Sequence, residues 1–168
     1  MEDKLPNPRF RFILTALAAV AIGRAALGAP PGEDTKEAER LKIVRKVVEA
    51  HNQVRDDEGL RAVALNKRLT IAAQSHAEDM AEHRKMSHDG SNGTTPFRRI
   101  AKAGYKYAKA GENVARGQST VGKVMRIWMD SESHRRNIRG KFSEIGVGHA
   151  TDADGVSYWC VTFGTPLR

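Results

Sequence analysis

Three separate segments of this chain carry side chains that can bind a metal ion or move protons. His88 lies in a glycine-rich stretch, Glu112 follows a glycine, and Glu132 and His134 come soon after Trp128. Imidazole nitrogens and carboxylate oxygens serve as metal ligands and as general acids and bases. Because the segments are far apart in sequence, they can act together only if the fold gathers them at one cleft.

Two amphipathic helices are predicted before the first of these segments. Apolar residues with helical spacing predict a helix over residues 35–56, and Asn66 is a suitable N-cap for a second helix. The second helix carries His76 and His83 on an apolar stripe. Two turns, roughly 10 Å, separate them, which is too far for both to hold one ion. We therefore interpret both as hydrogen-bonded histidines of the core or its rim.

The segment that carries His88 has the composition of a turn. Residues 87–95 are rich in Gly, Ser, Asn and Thr, and Pro96 suits the first turn of a short helix through about Ala103. Loops held by a rigid scaffold often carry functional side chains. His88 is therefore a functional candidate, and a solvated loop histidine is the alternative.

A strand is predicted over residues 109–115, and its alternation places Glu112 on the same face as Val114. If Val114 is buried, the Glu112 carboxylate is buried as well. Such a carboxylate needs a hydrogen-bond donor, a cation or a metal ion, or it takes up a proton. The pattern leaves open whether Glu112 is a structural anchor or a ligand.

A third long helix is predicted after Ser119, with Trp128 and Glu132 on one apolar stripe. This stripe directs Glu132 toward the domain, close to His134. The alternative is an exposed acid at the helix end, offset by the arginines that follow.

The chain closes with a predicted β-hairpin formed by residues 145–150 and 156–163. Alternation places Trp159 and Val161 on one face of the second strand and Cys160 on the other. Cys160 is the single cysteine, so no disulfide forms within the chain, and we interpret it as a packed residue rather than a nucleophile. His149, near the turn, is expected to be exposed.

Length and composition predict one globular domain after a leader. The chain has 168 residues, of which 40% are hydrophobic. Residues 1–29 are predicted to be a secretory signal peptide, because basic residues precede an apolar run at 12–22 that is shorter than the roughly 20 residues a bilayer-spanning helix needs. An uncleaved anchor is the alternative. We interpret residues 30–37 as a linker and 38–168 as the domain, located outside the cell or in the periplasm.

The chain is basic. Its net charge of +8 becomes +6 without residues 1–29, which hold four basic and two acidic side chains. This charge favours anionic envelope polymers, lipids or peptides as partners. Nucleic acid is not expected, because only 6% of the residues are aromatic and no reading motif is present. The mature chain is expected to be a monomer without a transmembrane span.

An ordered series of motifs spans about residues 41–164. The series comprises His51-Asn52-Gln53-Val54-Arg55, Leu65-Asn66, Ser87-His88, Gly111-Glu112-Asn113-Val114, Trp128-Met129, Ser133-His134-Arg135-Arg136-Asn137-Ile138, Ile145-Gly146-Val147-Gly148 and Tyr158-Trp159-Cys160-Val161-Thr162-Phe163-Gly164. The whole series resembles the CAP superfamily of cysteine-rich secretory, antigen 5 and pathogenesis-related 1 proteins, in its bacterial SCP-like form. The predicted elements alone indicate an α+β or layered α/β/α domain.

The resemblance implies an α+β fold that forms a three-layer α/β/α sandwich with a small central antiparallel sheet. It also implies a cleft in which His88 and His134 coordinate Zn²⁺ or another divalent metal, with Glu112 as the first acid. Ser131 stands where eukaryotic members have the second acid, and Glu132 one place later is the candidate substitute. The motif around His51 and Arg55 is implied to be structural.

The resemblance leaves three functions open. The first is a secreted recognition module that binds its ligand, with or without a divalent metal, in the cleft. The second is a metal-assisted peptidase in which Glu112 or Glu132 acts as the general base on metal-bound water. The third is a lipid or sterol carrier, which would need an apolar groove.

Overall fold

The computed structural model describes residues 31–167, so the signal peptide predicted at 1–29 lies outside the described residues. Within this range the chain forms five helices and four strands. They are α1 (Pro31–Asp57), β1 (Ala64–Leu65), α2 (Lys67–Glu82), α3 (Pro96–Lys102), β2 (Tyr107–Arg116), α4 (Val121–Asp130), α5 (Glu132–Ile138), β3 (Glu144–Thr151) and β4 (Ser157–Pro166).

The four strands form one sheet with the order β1-β3-β4-β2. The predicted hairpin is confirmed, since β3 and β4 pair antiparallel with Ile145 opposite Phe163. Strand β2 pairs antiparallel with β4, and Glu112 lies opposite Thr162. The expectation of an antiparallel sheet is wrong for the two-residue β1, which pairs parallel with β3. This pairing is sterically available because long intervening segments provide the crossover that parallel strands need.

Helices cover both faces of the sheet, which confirms the three-layer α/β/α architecture. Trp159 and Val161 of β4 join the core that contains residues of α1, α4 and α5. Tyr158 and Cys160 point to the other face and pack against α2. The alternation predicted for β4 is therefore confirmed. Leu69 of α2 packs with Ile100 of α3 and with Tyr105 in a third cluster.

Two glycines of β3 allow α2 to lie directly against the sheet. A Cβ placed on Gly146 would be 2.1 Å from the backbone carbon of Leu69, and a Cβ on Gly148 would be 2.3 Å from the backbone of Ala73. Since no larger residue fits, these glycines fix the distance between α2 and the sheet.

Side chains from α4 and α5 cover the free edge of β2. Trp128 Nε1 donates a hydrogen bond to the carbonyl oxygen of Val114 at 3.2 Å. Asn137 Nδ2 donates to the carbonyl oxygen of Glu112 at 3.0 Å. Both carbonyls belong to the outermost strand, so these bonds satisfy acceptors that would otherwise be unpaired. They also fix α4 and α5 beside Glu112.

The structural role implied for the first-helix motif is confirmed. Arg55 donates hydrogen bonds to the backbone carbonyls of Arg61, Ile138, Gly140 and Phe142. Asn52 exchanges two hydrogen bonds with the backbone of Val63. His51 is fully buried, with its ring 5.8 Å from that of Trp128. Together these contacts attach α1 to the segment before β1 and to the connection between α5 and β3.

Two local expectations are wrong. Helix α1 begins at Pro31 rather than near residue 35, and proline is well tolerated in the first turn of a helix. His149 is half-buried rather than exposed, since its ring packs on Trp159 with centroids 4.2 Å apart. Among the helices of residues 31–167, none combines the length and hydropathy that crossing a bilayer requires.

Candidate functional site

The candidate site lies at the outer strand β2, where Glu112 is its central residue. As predicted, Glu112 lies on the same face as Val114 and both are buried. The side chain of Glu112 is only 2% exposed. A buried carboxylate requires partners, and Glu112 has them on both oxygens.

One oxygen of Glu112 contacts His88. The Nδ1 atom of His88 lies 2.9 Å from Oε1 of Glu112. Because a carboxylate only accepts hydrogen bonds, Nδ1 carries the hydrogen. The neutral ring then has its lone pair on Nε2. The His88 side chain is 55% exposed, so the carboxylate fixes the orientation of an imidazole at the surface.

The other oxygen of Glu112 contacts Arg99 of α3. Arg99 Nη2 donates to Oε2 at 2.8 Å and to the backbone oxygen of His88 at 2.8 Å. Cys160 Sγ lies 3.5 Å from the same oxygen. Cys160 is fully buried, and burial raises the pKa of its thiol well above the ordinary value. The interpretation of Cys160 as a packed residue agrees with this position.

The contacts of Glu112 set the charges of the site. Burial acts to raise the pKa of Glu112, but the hydrogen bond from His88 and the positive charge of Arg99 outweigh it, so the pKa lies below the ordinary value. The hydrogen bond to Glu112 raises the pKa of His88, with burial opposing it. Glu112 is therefore ionised at neutral pH, and His88 gains a proton more readily than a free histidine.

His134 approaches the site from α5. Burial and the charge of His88 lower the pKa of His134, so the two imidazoles lie within electrostatic range of each other. Asn113 Nδ2 donates to the backbone oxygen of His134 at 3.1 Å, which connects α5 to the residue next to Glu112. Within the part of the chain that the structure describes, the buried Nδ1 of His134 has no hydrogen-bond partner.

The expected direction of Glu132 is wrong. Helix α4 ends at Asp130, and Ser131 adopts an extended conformation with φ −90° and ψ 123°. Glu132 is therefore the first residue of α5 and does not continue the stripe of Trp128. Its side chain is exposed and makes no hydrogen bond or ion pair with another residue in the range 31–167. Glu112 and Glu132 consequently differ in kind, one buried and paired, the other solvated.

An open groove of about 440 Å³ adjoins these residues. Its walls include His88, Glu112 and Asn137, together with the exposed ring of Phe97. His134 precedes Asn137 by one helical turn. The groove gives His88 access to a ligand from solvent.

The atoms left as candidate metal ligands at this site are imidazole nitrogens rather than the oxygens of Glu112. Both oxygens of Glu112 are already engaged by His88 and Arg99. The unpartnered nitrogen of His134 and the lone pair left on His88 are available donors. Across residues 31–167, no group of three or more His, Cys, Asp or Glu side chains is placed to hold a metal. A site with two histidines is weak and sensitive to protonation.

The sequence did not identify Arg99 and Asn137 as part of this site. Arg99 lies on a short helix among exposed basic residues, and nothing in its local pattern marks it as the partner of Glu112. Asn137 belongs to the motif at residues 133–138 that the sequence shows, and this motif is the one sequence feature that could have identified it.

Comparisons with known proteins agree with this geometry. Residues 48–163 match the cysteine-rich secretory protein (CAP) family. The uncharacterized protein YkwD of Bacillus subtilis is 35% identical over 120 residues, which cover 71% of this chain and 46% of YkwD.

Solved structures share the fold. An extracellular protein containing an SCP domain from Bacillus anthracis has a TM-score of 0.70 and 24% identity, covering 81% of this chain and 44% of that one. An outer surface protein of Borrelia burgdorferi has a TM-score of 0.67 and 23% identity, covering 83% of this chain and 97% of that one. At these identities the likeness concerns the fold alone.

This chain spans less than half the length of YkwD, so the activity of that whole protein does not transfer to it. The family match, in contrast, covers most of the domain described above, including β2 and the helices that carry Arg99 and His134. The chain therefore belongs to the cysteine-rich secretory protein (CAP) family.

Proposed function

We propose that this protein is an extracellular recognition module that binds its ligand in the groove beside His88, with a divalent metal ion held by His88 and His134. The observation that carries the proposal is the Glu112 carboxylate, which is bonded to His88 on one oxygen and to Arg99 on the other. A carboxylate in this position orients an imidazole, as outer-sphere carboxylates do at metal sites.

The arrangement supports binding rather than general-base catalysis. A general base needs a free oxygen near the proton that it accepts and a pKa near the working pH. Glu112 has neither, because its oxygens are engaged and its pKa is below the ordinary value. Glu132 is solvated at the start of α5 and has no described partner among residues 31–167 to orient it.

A metal ion bound to the two imidazoles would supply open coordination positions for an oxygen of the ligand. The protein contributes the rest. Glu112 holds His88 in one tautomer, Asn113 holds the backbone at His134, and the groove provides a wall with an exposed aromatic ring at Phe97. Anionic envelope polymers, lipids and peptides all carry suitable oxygens, and the basic domain attracts them.

An extracellular location is part of this proposal. The related structure from Bacillus anthracis is described as extracellular, and the sequence of residues 1–29 has the pattern of a signal peptide.

Calorimetry with zinc chloride tests the metal site. The full chain, purified without chelators, is expected to bind about one zinc ion at pH 7.5. The double variant His88→Ala, His134→Ala is expected to lose at least about tenfold in affinity. His83→Ala, which removes an exposed histidine of the α2 end, is the matched control and should bind as the parent does. Equal affinity in the parent and the double variant would show that the metal assignment is wrong.

Peptide cleavage separates recognition from hydrolysis. The zinc-loaded protein is expected to leave a peptide library uncut. Cleavage that a chelator abolishes and that Glu112→Gln removes, in a variant with unchanged circular dichroism, would instead establish a peptidase.

A further inference from the structure

A second cavity, of about 300 Å³, lies between α2 and α3 beside the 90–94 loop. Among the described residues it shares no lining side chain with the groove at His88. One wall is apolar, formed by Ile71, Ala72 and Ala103. The other walls carry polar and charged groups, and two of these, His76 and Arg99, each have one buried nitrogen without a hydrogen-bond partner among residues 31–167.

His76 is the first of these groups. Its side chain is 0% exposed, and its Nε2 lies 2.7 Å from the carbonyl oxygen of Ser87. Since a carbonyl only accepts, Nε2 carries the hydrogen and the neutral ring has its lone pair on Nδ1. Burial, the largest influence, lowers the pKa of His76 and favours this neutral form. Nδ1 has no hydrogen-bond partner within residues 31–167.

Asp79 is the neighbour of that lone pair. Its Oδ2 lies 4.0 Å from His76 Nδ1, and Asp79 also lines the cavity. When His76 is neutral, both atoms are acceptors. Two acceptors at this separation can be bridged by one group that donates more than one hydrogen bond, such as a primary ammonium.

Arg99 places hydrogen-bond donors at the cavity, in contrast to the acceptors of His76 and Asp79. Its side chain is 10% exposed, and its Nη atoms donate to Thr94, His88 and Glu112. Its Nε is buried and has no acceptor among the residues that the structure describes. The exposed Lys102, one helical turn later on α3, also lines the cavity and adds a mobile positive charge.

The charges around the cavity nearly cancel. Arg99 is neutralised by Glu112, which leaves one carboxylate, Asp79, and one ammonium, Lys102. Asp79 also accepts hydrogen bonds from the backbone N and the Oγ of Ser91, so the ligand would add to these contacts rather than replace them. A cavity with this balance favours a ligand that is neutral overall and carries both charges, because a singly charged ligand meets only one of the two cavity charges.

We propose that this cavity binds a small zwitterion of the α-amino acid class. The ammonium group bonds to His76 Nδ1 and the Asp79 carboxylate, and the ligand carboxylate bonds to Arg99 Nε and Lys102. An aliphatic side chain packs against Ile71, Ala72 and Ala103. The ligand contacts neither His88 nor His134, and binding does not require the metal proposed there.

L-Leucine tests this assignment against two probes that each lack one charge. Titration of the full chain, followed by calorimetry and by amide NMR shifts, is expected to show L-leucine binding with a Kd of about 1 mM or tighter. Isovalerate lacks the ammonium and isoamylamine lacks the carboxylate, so each is expected to bind at least tenfold more weakly. Binding of either single-charge probe as strong as that of L-leucine, or no saturable L-leucine binding, overturns the proposal.

Two variants with matched controls locate the site. Lys102→Ala is expected to weaken L-leucine binding about threefold to tenfold, whereas Lys106→Ala, an exposed lysine outside the cavity, leaves it unchanged. Ala103→Leu fills the cavity and is expected to abolish binding, whereas Ala101→Leu on the exposed side of α3 does not. The double variant His88→Ala, His134→Ala should bind L-leucine like the parent. Binding unaffected by both Lys102→Ala and Ala103→Leu would place the ligand elsewhere and contradict the proposal.

Discussion

Asn113 Nδ2 donates a hydrogen bond to the backbone oxygen of His134 at 3.1 Å. This bond joins the outer strand of the sheet to α5, at the residue that follows Glu112. Asn113 Oδ1 in turn accepts a hydrogen bond from Asn137 Nδ2 at 2.8 Å. Asn113 is fully buried, and its hydrogen bond fixes the backbone of His134, the residue that carries the second imidazole of the site.

Replacing Asn113 by alanine should therefore weaken the proposed zinc site without removing a ligand. The variant loses the bond to the part-buried backbone oxygen of His134 and also the bond from Asn137. We expect a loss of about tenfold in zinc affinity and of about 2 kcal/mol in the free energy of unfolding. Calorimetry and urea unfolding measure the two effects. Unchanged zinc affinity in a destabilised variant would show that Asn113 does not position His134.

Glu112→Gln should lower the pKa of His88. The hydrogen bond to the ionised carboxylate is the largest influence that raises the pKa of this imidazole in the parent. A neutral amide cannot favour the imidazolium to the same degree, so the His88 midpoint should shift to lower pH. NMR titration of the histidine ring protons measures this shift. An unchanged midpoint in a folded variant would mean that the contact with Glu112 does not control His88.

Local sequence patterns predict much of the fold, because in most helices and strands the hydrophobic residues recur with a single period. In β4 the alternation correctly separates Trp159 from Cys160, and in β2 it correctly predicts the burial of Glu112. The helical period failed after Trp128, because hydrophobic spacing continued across a break in the backbone at Ser131. Periodicity records which face is apolar, not whether one helix or two present it.

The partners of the site residues were harder to predict than the residues themselves. A buried carboxylate at position 112 requires a cation or donor, but the sequence does not say which of many basic residues supplies it. Arg99 reaches Glu112 only because α3 packs beside β2. This contact depends on tertiary packing and has no local signal.

His51 should make the protein less stable in weakly acidic solution. Burial is the main reason that its pKa falls from the ordinary 6.5 to about 4. Between these values the unfolded chain binds more protons than the folded one, so the free energy of unfolding decreases as the pH falls from 6.5 toward 4. The full difference corresponds to about 3 kcal/mol.

The variant His51→Gln removes this titration. Urea unfolding at pH 7 and pH 4 should show that the parent loses about 3 kcal/mol more than the variant, since all other titrating groups are shared. Each loss is a difference between two pH values in the same protein, so the packing defect of the variant cancels. Equal losses in the two proteins would show that His51 is not held neutral in the core.

Arg55→Lys should destabilise the protein by about 3 kcal/mol. The guanidinium donates to four backbone carbonyls from three segments, at 2.6 to 3.4 Å. A lysine ammonium is a compact donor that cannot reproduce this planar arrangement, so buried acceptors lose their partners. Arg45→Lys, on the exposed face of α1, is the matched control, with an expected change below about 0.5 kcal/mol. Similar losses in both variants, measured by urea unfolding, would contradict the anchoring role of Arg55.

Gly148→Ala tests whether the close approach of α2 to the sheet is rigid. The added Cβ would lie 2.3 Å from the backbone carbon and oxygen of Ala73, and backbone atoms cannot move aside as a flexible side chain can. Helix α2 must then shift as a unit, and we expect a loss of about 3 kcal/mol in the free energy of unfolding. Gly122→Ala provides the contrast, because no atom lies within 4 Å of a Cβ placed there and the residue is in α4, where alanine favours the helix by up to about 1 kcal/mol. If Gly148→Ala were as well tolerated as Gly122→Ala, α2 would be free to move away from β3. The positions of His76 and Asp79, which α2 carries, would then not be fixed by the sheet.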